Sequence, residues 1–202
     1  MKYRLLLKSL HCSSQSIVLL TVDANFKVSL EWTLTPTVRY FSICSLGDDR
    51  FAVTTNDDRL PPVRIIDTQG NEGDFQLIKF PKLIHKINVP YCAYNPVSKT
   101  LVWTDKDIIH IVNTMSGMTT TMTDTWIQGT SGVAVEPNGY VYVLSSDTNR
   151  VVCIFPHGKV IAWFDDGWEP WFIRLSVSDD GKTLILAAKR EIQVYTVIYK
   201  DA

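Results

Sequence analysis

Four histidines, His11, His85, His110 and His157, carry the imidazoles that general-base or metal-ligand chemistry uses near neutral pH. They do not cluster along the chain. His157 sits in the turn Pro156-His157-Gly158 and His110 alternates with isoleucines, so structural or solvent-exposed roles are expected for them. The cysteines, Cys12, Cys44, Cys92 and Cys153, are scattered too, with no C-x-x-C pair and no histidine at zinc-ligand spacing. Cys44, Cys92 and Cys153 each lie in an apolar run, where a reduced thiol behaves as a small buried hydrophobe. That usage points to an intracellular, cytoplasmic setting. The sequence has no G-x-S-x-G elbow, no phosphate-cradling Walker loop and no H-E-x-x-H zinc pair. These residues therefore lead us to expect no catalytic group, no metal site and no cofactor.

Charge narrows the partners. Lys and Arg number 20 against 21 Asp and Glu, a net charge of −1, so bulk attraction to phosphate is not the main activity. One local basic cluster, Lys79, Lys82, His85 and Lys86, has the composition for RNA phosphates, but in a connecting loop it also reads as a solvated face. The opening Met1-Lys-Tyr-Arg-Leu-Leu-Leu-Lys8 is interrupted by Lys8 after three leucines, too early for an export signal, and no apolar run approaches a membrane span. With 46% hydrophobic residues in 202, the chain can bury a substantial core and is not a disordered sequence.

The elements that must position any site come from self-comparison. Four segments share one order of apolar run, turn, apolar run, polar turn and apolar run. They begin at FSICSLGDDRFAVTT, YCAYNPVSKTLVWTD, GVAVEPNGYVYVLSS and IRLSVSDDGKTLILAA. Phe51, Leu101, Val141 and Leu184 are equivalent positions, about 50, 40 and 43 residues apart. The longer first interval holds the insert Asp57-Asp58-Arg59-Leu60-Pro61-Pro62. Runs of four to seven residues rich in Val, Ile, Tyr, Phe, Trp and Thr favour strands over helices. The turns Gly47-Asp48-Asp49, Asn95-Pro96, Pro137-Asn138-Gly139 and Asp179-Asp180-Gly181 close a hairpin in each unit. Further turns precede fourth runs at Phe75 to Phe80, Thr119 to Met122 and Val160 to Phe164. The expectation is an all-β chain, a β-propeller of four-stranded antiparallel blades with four to five blades' worth of strands, closed, partial or open. Residues 1–37, with runs at Tyr3 to Leu10, Ile17 to Val22 and Val28 to Leu34, read as an incomplete first blade or as closing strands, and 38–202 as the blades. An open arc would expose edges suited to self-association.

In such a fold the loops before the innermost strands gather at one rim of the channel. They hold Tyr40, Tyr91, Trp126, Trp168 and Trp171, with Arg39, Arg150 and Arg174 nearby. Tyr and Trp combine contact area with a polar handle, and Arg suits carboxylate or phosphate, so these are the candidate binding residues. Packing between blades is the alternative use of the same aromatics. Trp32, Trp103 and Trp163 lie within strands and are expected in the core.

The unit Gly132 to Gly158 resembles the NHL repeat. Asn149-Arg150-Val151 stands where the family has its Asn-His-Leu tripeptide, Asp147 and Asn149 match its polar turn, and Gly139 its first hairpin. The other units match less well, Asp105 and Asp107 keeping something of the turn and Lys189-Arg190-Glu191 none of it. SICSLGDDRFAVTT followed by PVRIIDTQG is similar to the carboxy-terminal propellers of tripartite-motif proteins. The resemblance implies a non-catalytic module that binds a protein partner or RNA, as the substrate-recognition part of a ubiquitin ligase. The zinc pairs of a RING or B-box are missing here, and six blades, the family number, exceed what this sequence builds. A second likeness, to calcium-dependent lactonase propellers, implies a hydrolase with Glu, Asn and Asp at the inner-strand ends. Here Glu136, Asn95 and Asp179 fall at hairpin turns, where turn formation explains them.

Overall fold

The computed structural model describes residues 3–10, 15–23, 25–36, 38–47, 49–81, 89–165, 172–188 and 191–198. Every regular element among them is a β-strand. In chain order these are β1 (Tyr3–Leu10), β2 (Gln15–Val22), β3 (Val28–Leu34), β4 (Tyr40–Gly47), β5 (Arg50–Thr55), β6 (Val63–Asp67), β7 (Glu72–Gly73), β8 (Cys92–Asn95) and β9 (Thr100–Asp105). They continue with β10 (Ile108–Asn113), β11 (Thr119–Thr123), β12 (Thr130–Val135), β13 (Val141–Ser145), β14 (Arg150–Ile154), β15 (Val160–Phe164), β16 (Phe172–Val177), β17 (Thr183–Ala188) and β18 (Ile192–Thr196).

The strands form five antiparallel sheets in sequence order: β1-β2-β3, β4-β5-β6-β7, β8-β9-β10-β11, β12-β13-β14-β15 and β16-β17-β18, here sheets one to five. Sheets one and five have three strands and the others four. The amino-terminal strands thus make a sheet of their own and are not hydrogen-bonded to β18. The first strands of neighbouring sheets touch around a common axis, β4 with β8, β8 with β12 and β12 with β16.

Period-two alternation explains the stacking, because each middle strand is apolar on both faces. On β9, Leu101 and Trp103 pack toward sheet two with Ala52 and Val63, while Val102 packs toward sheet four with Val133 and Val143. On β13, Val141 and Val143 join that same layer and Tyr142 and Leu144 join Leu184 and Leu186 of sheet five. A smaller layer, Ile17 and Leu34 against Tyr40, Val53 and Ile66, couples sheets one and two. The core therefore lies between sheets.

The second sheet departs from expectation. Its fourth strand is the short β7, and residues 75–80 form no strand. Arg64 explains the choice: its guanidinium bonds Glu72 Oε2 and Asp74 Oδ1, each at 2.7 Å, and so fixes this stretch beside β6. The chain beyond turns inward, with Phe75 and Phe80 edge to face at 5.6 Å and Phe80 against Trp103 at 6.1 Å.

Candidate functional site

The first strands of sheets two, four and five open with irregular register, between Tyr40 and Ile43, Thr130 and Gly132, and Phe172 and Arg174. Such bulges re-aim the side chains at a strand's start. All three stand at the same end of the axis, where they line a cavity of about 310 Å³ walled by Phe41, Ser42, Tyr91, Gly132 and Arg174 among others. Arg174 of β16 reaches the ring of Tyr91, before β8, with its guanidinium carbon 5.3 Å from the centroid. Arg39 lies over Phe41 in the same manner at 4.8 Å. Gly132 lets the neighbouring strand approach, since a Cβ there would stand 3.3 Å from Leu175 Cβ and N. Behind the lining residue Cys92, the Cys44 sulfur lies 3.6 Å from the Cys92 sulfur. The contact with Cys92 and then burial hold the Cys44 thiol well above its usual range.

The structure divides the expected rim residues. Tyr91 and Arg174 stack on each other in the wall of the mouth, and Arg39 stacks on Phe41 of the same wall. Tyr40 does not reach it: the ring is 1% exposed, and its hydroxyl donates to Glu72 Oε2 at 2.8 Å and accepts from Arg64 at 3.3 Å. Burial, then Glu72, pushes that phenol above its ordinary range. The irregular register at the start of β4 puts Phe41 at the mouth where the regular pattern places Tyr40. Trp126 and Arg150 form a separate cluster with Trp163 at the outer strand β15, roughly 14 Å from β12 across three strand spacings. The two indoles stack at 5.0 Å and Arg150 lies 4.3 Å from each ring centre. Trp163, expected in the core, is 43% exposed, because it stands on the outer strand of its sheet. Trp103 is fully buried as expected. Trp168 and Trp171 lie outside the described residues, as do Lys82, His85, Lys86, His11 and Cys12, and the side chain of Trp32. Phe41 and Gly132 were not singled out from sequence; the Arg-Tyr-Phe order at Arg39-Tyr40-Phe41 was the available signal, misread by one residue.

Asn95 serves its turn, accepting from the backbone N–H groups of Val97 at 2.8 Å and Ser98 at 3.2 Å. Glu136 is buried at the end of β12 and Asp179 is exposed. Among the described residues, no group of three or more His, Cys, Asp or Glu stands close enough together to hold a metal ion.

Comparison with solved structures decides the fold. A chain of the solved nidogen/laminin complex superposes with a TM-score of 0.68 over 97% of this chain and 74% of that one, at 14% identity. This chain is a β-propeller. Its five sheets are the blades, and the cavity at the start of the first strands is the mouth of the propeller's channel. No protein-family profile matches the sequence, and no curated protein matches it. Among the described residues no helix is long and apolar enough to cross a membrane.

Proposed function

We propose that this propeller is a non-catalytic interaction module that binds a protein partner at its channel mouth. The observation that carries the reading is the convergence of two arginine–aromatic stacks, Arg174 on Tyr91 and Arg39 on Phe41, at one end of the axis. A guanidinium laid on a ring keeps a fixed orientation, and its planar fork suits a carboxylate side chain of a partner. Tyr and Arg in such settings are frequent binding hot spots. The similar solved chain comes from a complex of proteins, which supports this use of the fold. Recognition of substrates for a tripartite-motif ubiquitin ligase is the finer form of the proposal; it is supported by the third repeat, Gly132 to Gly158. A reducing, cytoplasmic setting fits the thiols of Cys44, Cys92 and Cys153, which are unbridged.

The test compares proteins retained from cell extract by the intact chain and by an Arg39→Ala/Arg174→Ala variant, followed by calorimetry with each purified candidate. A partner of this site binds the variant at least about tenfold more weakly. Identical retention and affinity for both chains would remove the mouth as the binding site. Single-stranded RNA is the second ligand class for the arginines, and it requires affinity that falls steeply as salt rises. The lactonase alternative requires calcium to raise the melting temperature at millimolar concentration, since an ion that binds only the folded form stabilises it.

A further inference from the structure

The fifth blade ends at β18, which pairs with β17 on one side and, among the described residues, with no strand on the other. In blades three and four that position holds β11 and β15. Beside it lies a groove of about 1110 Å³ between blades four and five. Blade four contributes Tyr142, Cys153, Ala162 and Phe164 to its wall, and blade five contributes Leu184 and Tyr195. None of the described lining residues is Asp, Glu, Lys or Arg. The groove is also continuous with the apolar layer between these blades, to which Tyr142 and Leu184 belong, with Cys153, Phe164 and Tyr195 packed against it.

The repeat itself shows what fills such a space. Val141 opposes Ile154 in blade four as Leu184 opposes Tyr195 in blade five, so Tyr195 is the counterpart of Ile154 and Gln193 that of Val152. In blade four, Ile154 is paired with Val160 and Val152 with Trp163. Val160 packs on the layer toward blade three, and Trp163 stacks on Trp126 in front of it. Among the described residues blade five has no counterpart of either residue, and the groove lies on that same side of Tyr195.

We propose that the free edge of β18 accepts an extended segment of a partner polypeptide, which adds antiparallel as the fourth strand of blade five. The segment supplies about five residues, as β11 and β15 do, and sends uncharged apolar side chains opposite Tyr195 and Gln193 into the groove. Backbone hydrogen bonds along β18 give affinity, and the fit of the alternate side chains gives specificity, the logic of strand addition to a sheet edge. An uncharged wall selects against acidic or basic residues at those two positions, since a charge placed there would lose its hydration without a counter-ion. This inference is independent of the mouth.

The probe is a capped, fluorescein-labelled peptide with the sequence of residues 159–165, Lys-Val-Ile-Ala-Trp-Phe-Asp, which carries blade four's own solution. Anisotropy titration of the full chain is expected to show saturable binding, with slowed amide exchange at Ile192 to Thr196. Ala162→Arg, which puts a charge on the groove wall, is expected to weaken binding at least tenfold, and so is Thr196→Arg, a change at an exposed position. Ile192→Lys, at the far end of β18 and not among the described residues of the groove lining, is expected to leave binding unchanged. Melting curves confirm that each variant is folded. No binding at millimolar peptide overturns the proposal. Binding without protection of the β18 amides overturns it too, because the groove is then a pocket for apolar ligands. A dimer of the free chain, dissolved by Thr196→Arg, also overturns it by making a second copy the occupant.

Discussion

Trp103 is completely enclosed, and its indole lies flat on the imidazole of His110, with centroids 3.9 Å apart and planes 9° from parallel. The two oppose each other across β9 and β10, and His110 Nδ1 is 3.0 Å from Thr121 Oγ1. Burial pushes the imidazole down to about 4, against a weaker opposing pull from Asp105. A histidine whose folded value lies below its unfolded value of about 6.5 takes up its proton more readily in the unfolded chain. Its contribution is complete above about pH 6.5 and is lost as pH falls toward 4, by at most about 3 kcal/mol. Melting temperatures of the native chain and a His110→Gln variant, measured from pH 7.5 to 4.5, are expected to converge as pH falls. Parallel curves would show that His110 does not titrate in this way. Arg64 is a second residue on which local order depends, and Arg64→Met removes its bonds to Glu72 and Asp74 while keeping the stem. A loss of about 2 kcal/mol is expected in urea unfolding, the scale of hydrogen bonds between charged groups.

At the level of elements, the hairpins depend on backbone conformations that few residues adopt. Gly139, between β12 and β13, has φ 85°, and a Cβ there would lie 3.2 Å from Pro156 Cγ. Gly139→Ala is expected to cost about 1–2 kcal/mol, whereas Gly73→Ala, with nothing within 4 Å of its Cβ position, is expected to change stability by less than about 0.5 kcal/mol. Urea midpoints of the two variants check the contrast. Turns such as Pro137-Asn138-Gly139 and the short β-rich run TLVWTD were legible in the sequence because local chemistry and burial agree there. The stretch 75–80 was misread as a strand because its apolar pattern has a second use: Phe75, Ile78 and Phe80 cap the layer around Trp103 from a loop. The side-chain placements that failed share another cause. An irregular register at the head of β4 exchanged the roles of Tyr40 and Phe41, and the outer position of β15 left Trp163 half in solvent. Neither register nor distance from the axis is written in residue types.

At the level of the whole molecule, each apolar layer belongs to two blades, so the stability of any blade resides largely in its neighbours. Blades three and four are covered on both faces by the layers around Trp103, Val143 and Leu184. Blade one keeps Val28 at 56% and Leu30 at 61% exposure, and blade five keeps Ile192 at 70% and Val194 at 65%. Among the described residues the apolar layers give blades one and five a companion on one side only, and nearest-neighbour coupling of this kind makes cooperative loss start there. Limited digestion with a broad-specificity protease, followed by intact mass, is therefore expected to trim inward from both flanks and leave a long-lived fragment containing β9 through β14. Early cuts between β10 and β13 would contradict the coupling. A stack of leaves held by shared gum has no strongest leaf, only a strongest interior, and a mutation in β13 should loosen the proteolytic resistance of blades it does not belong to.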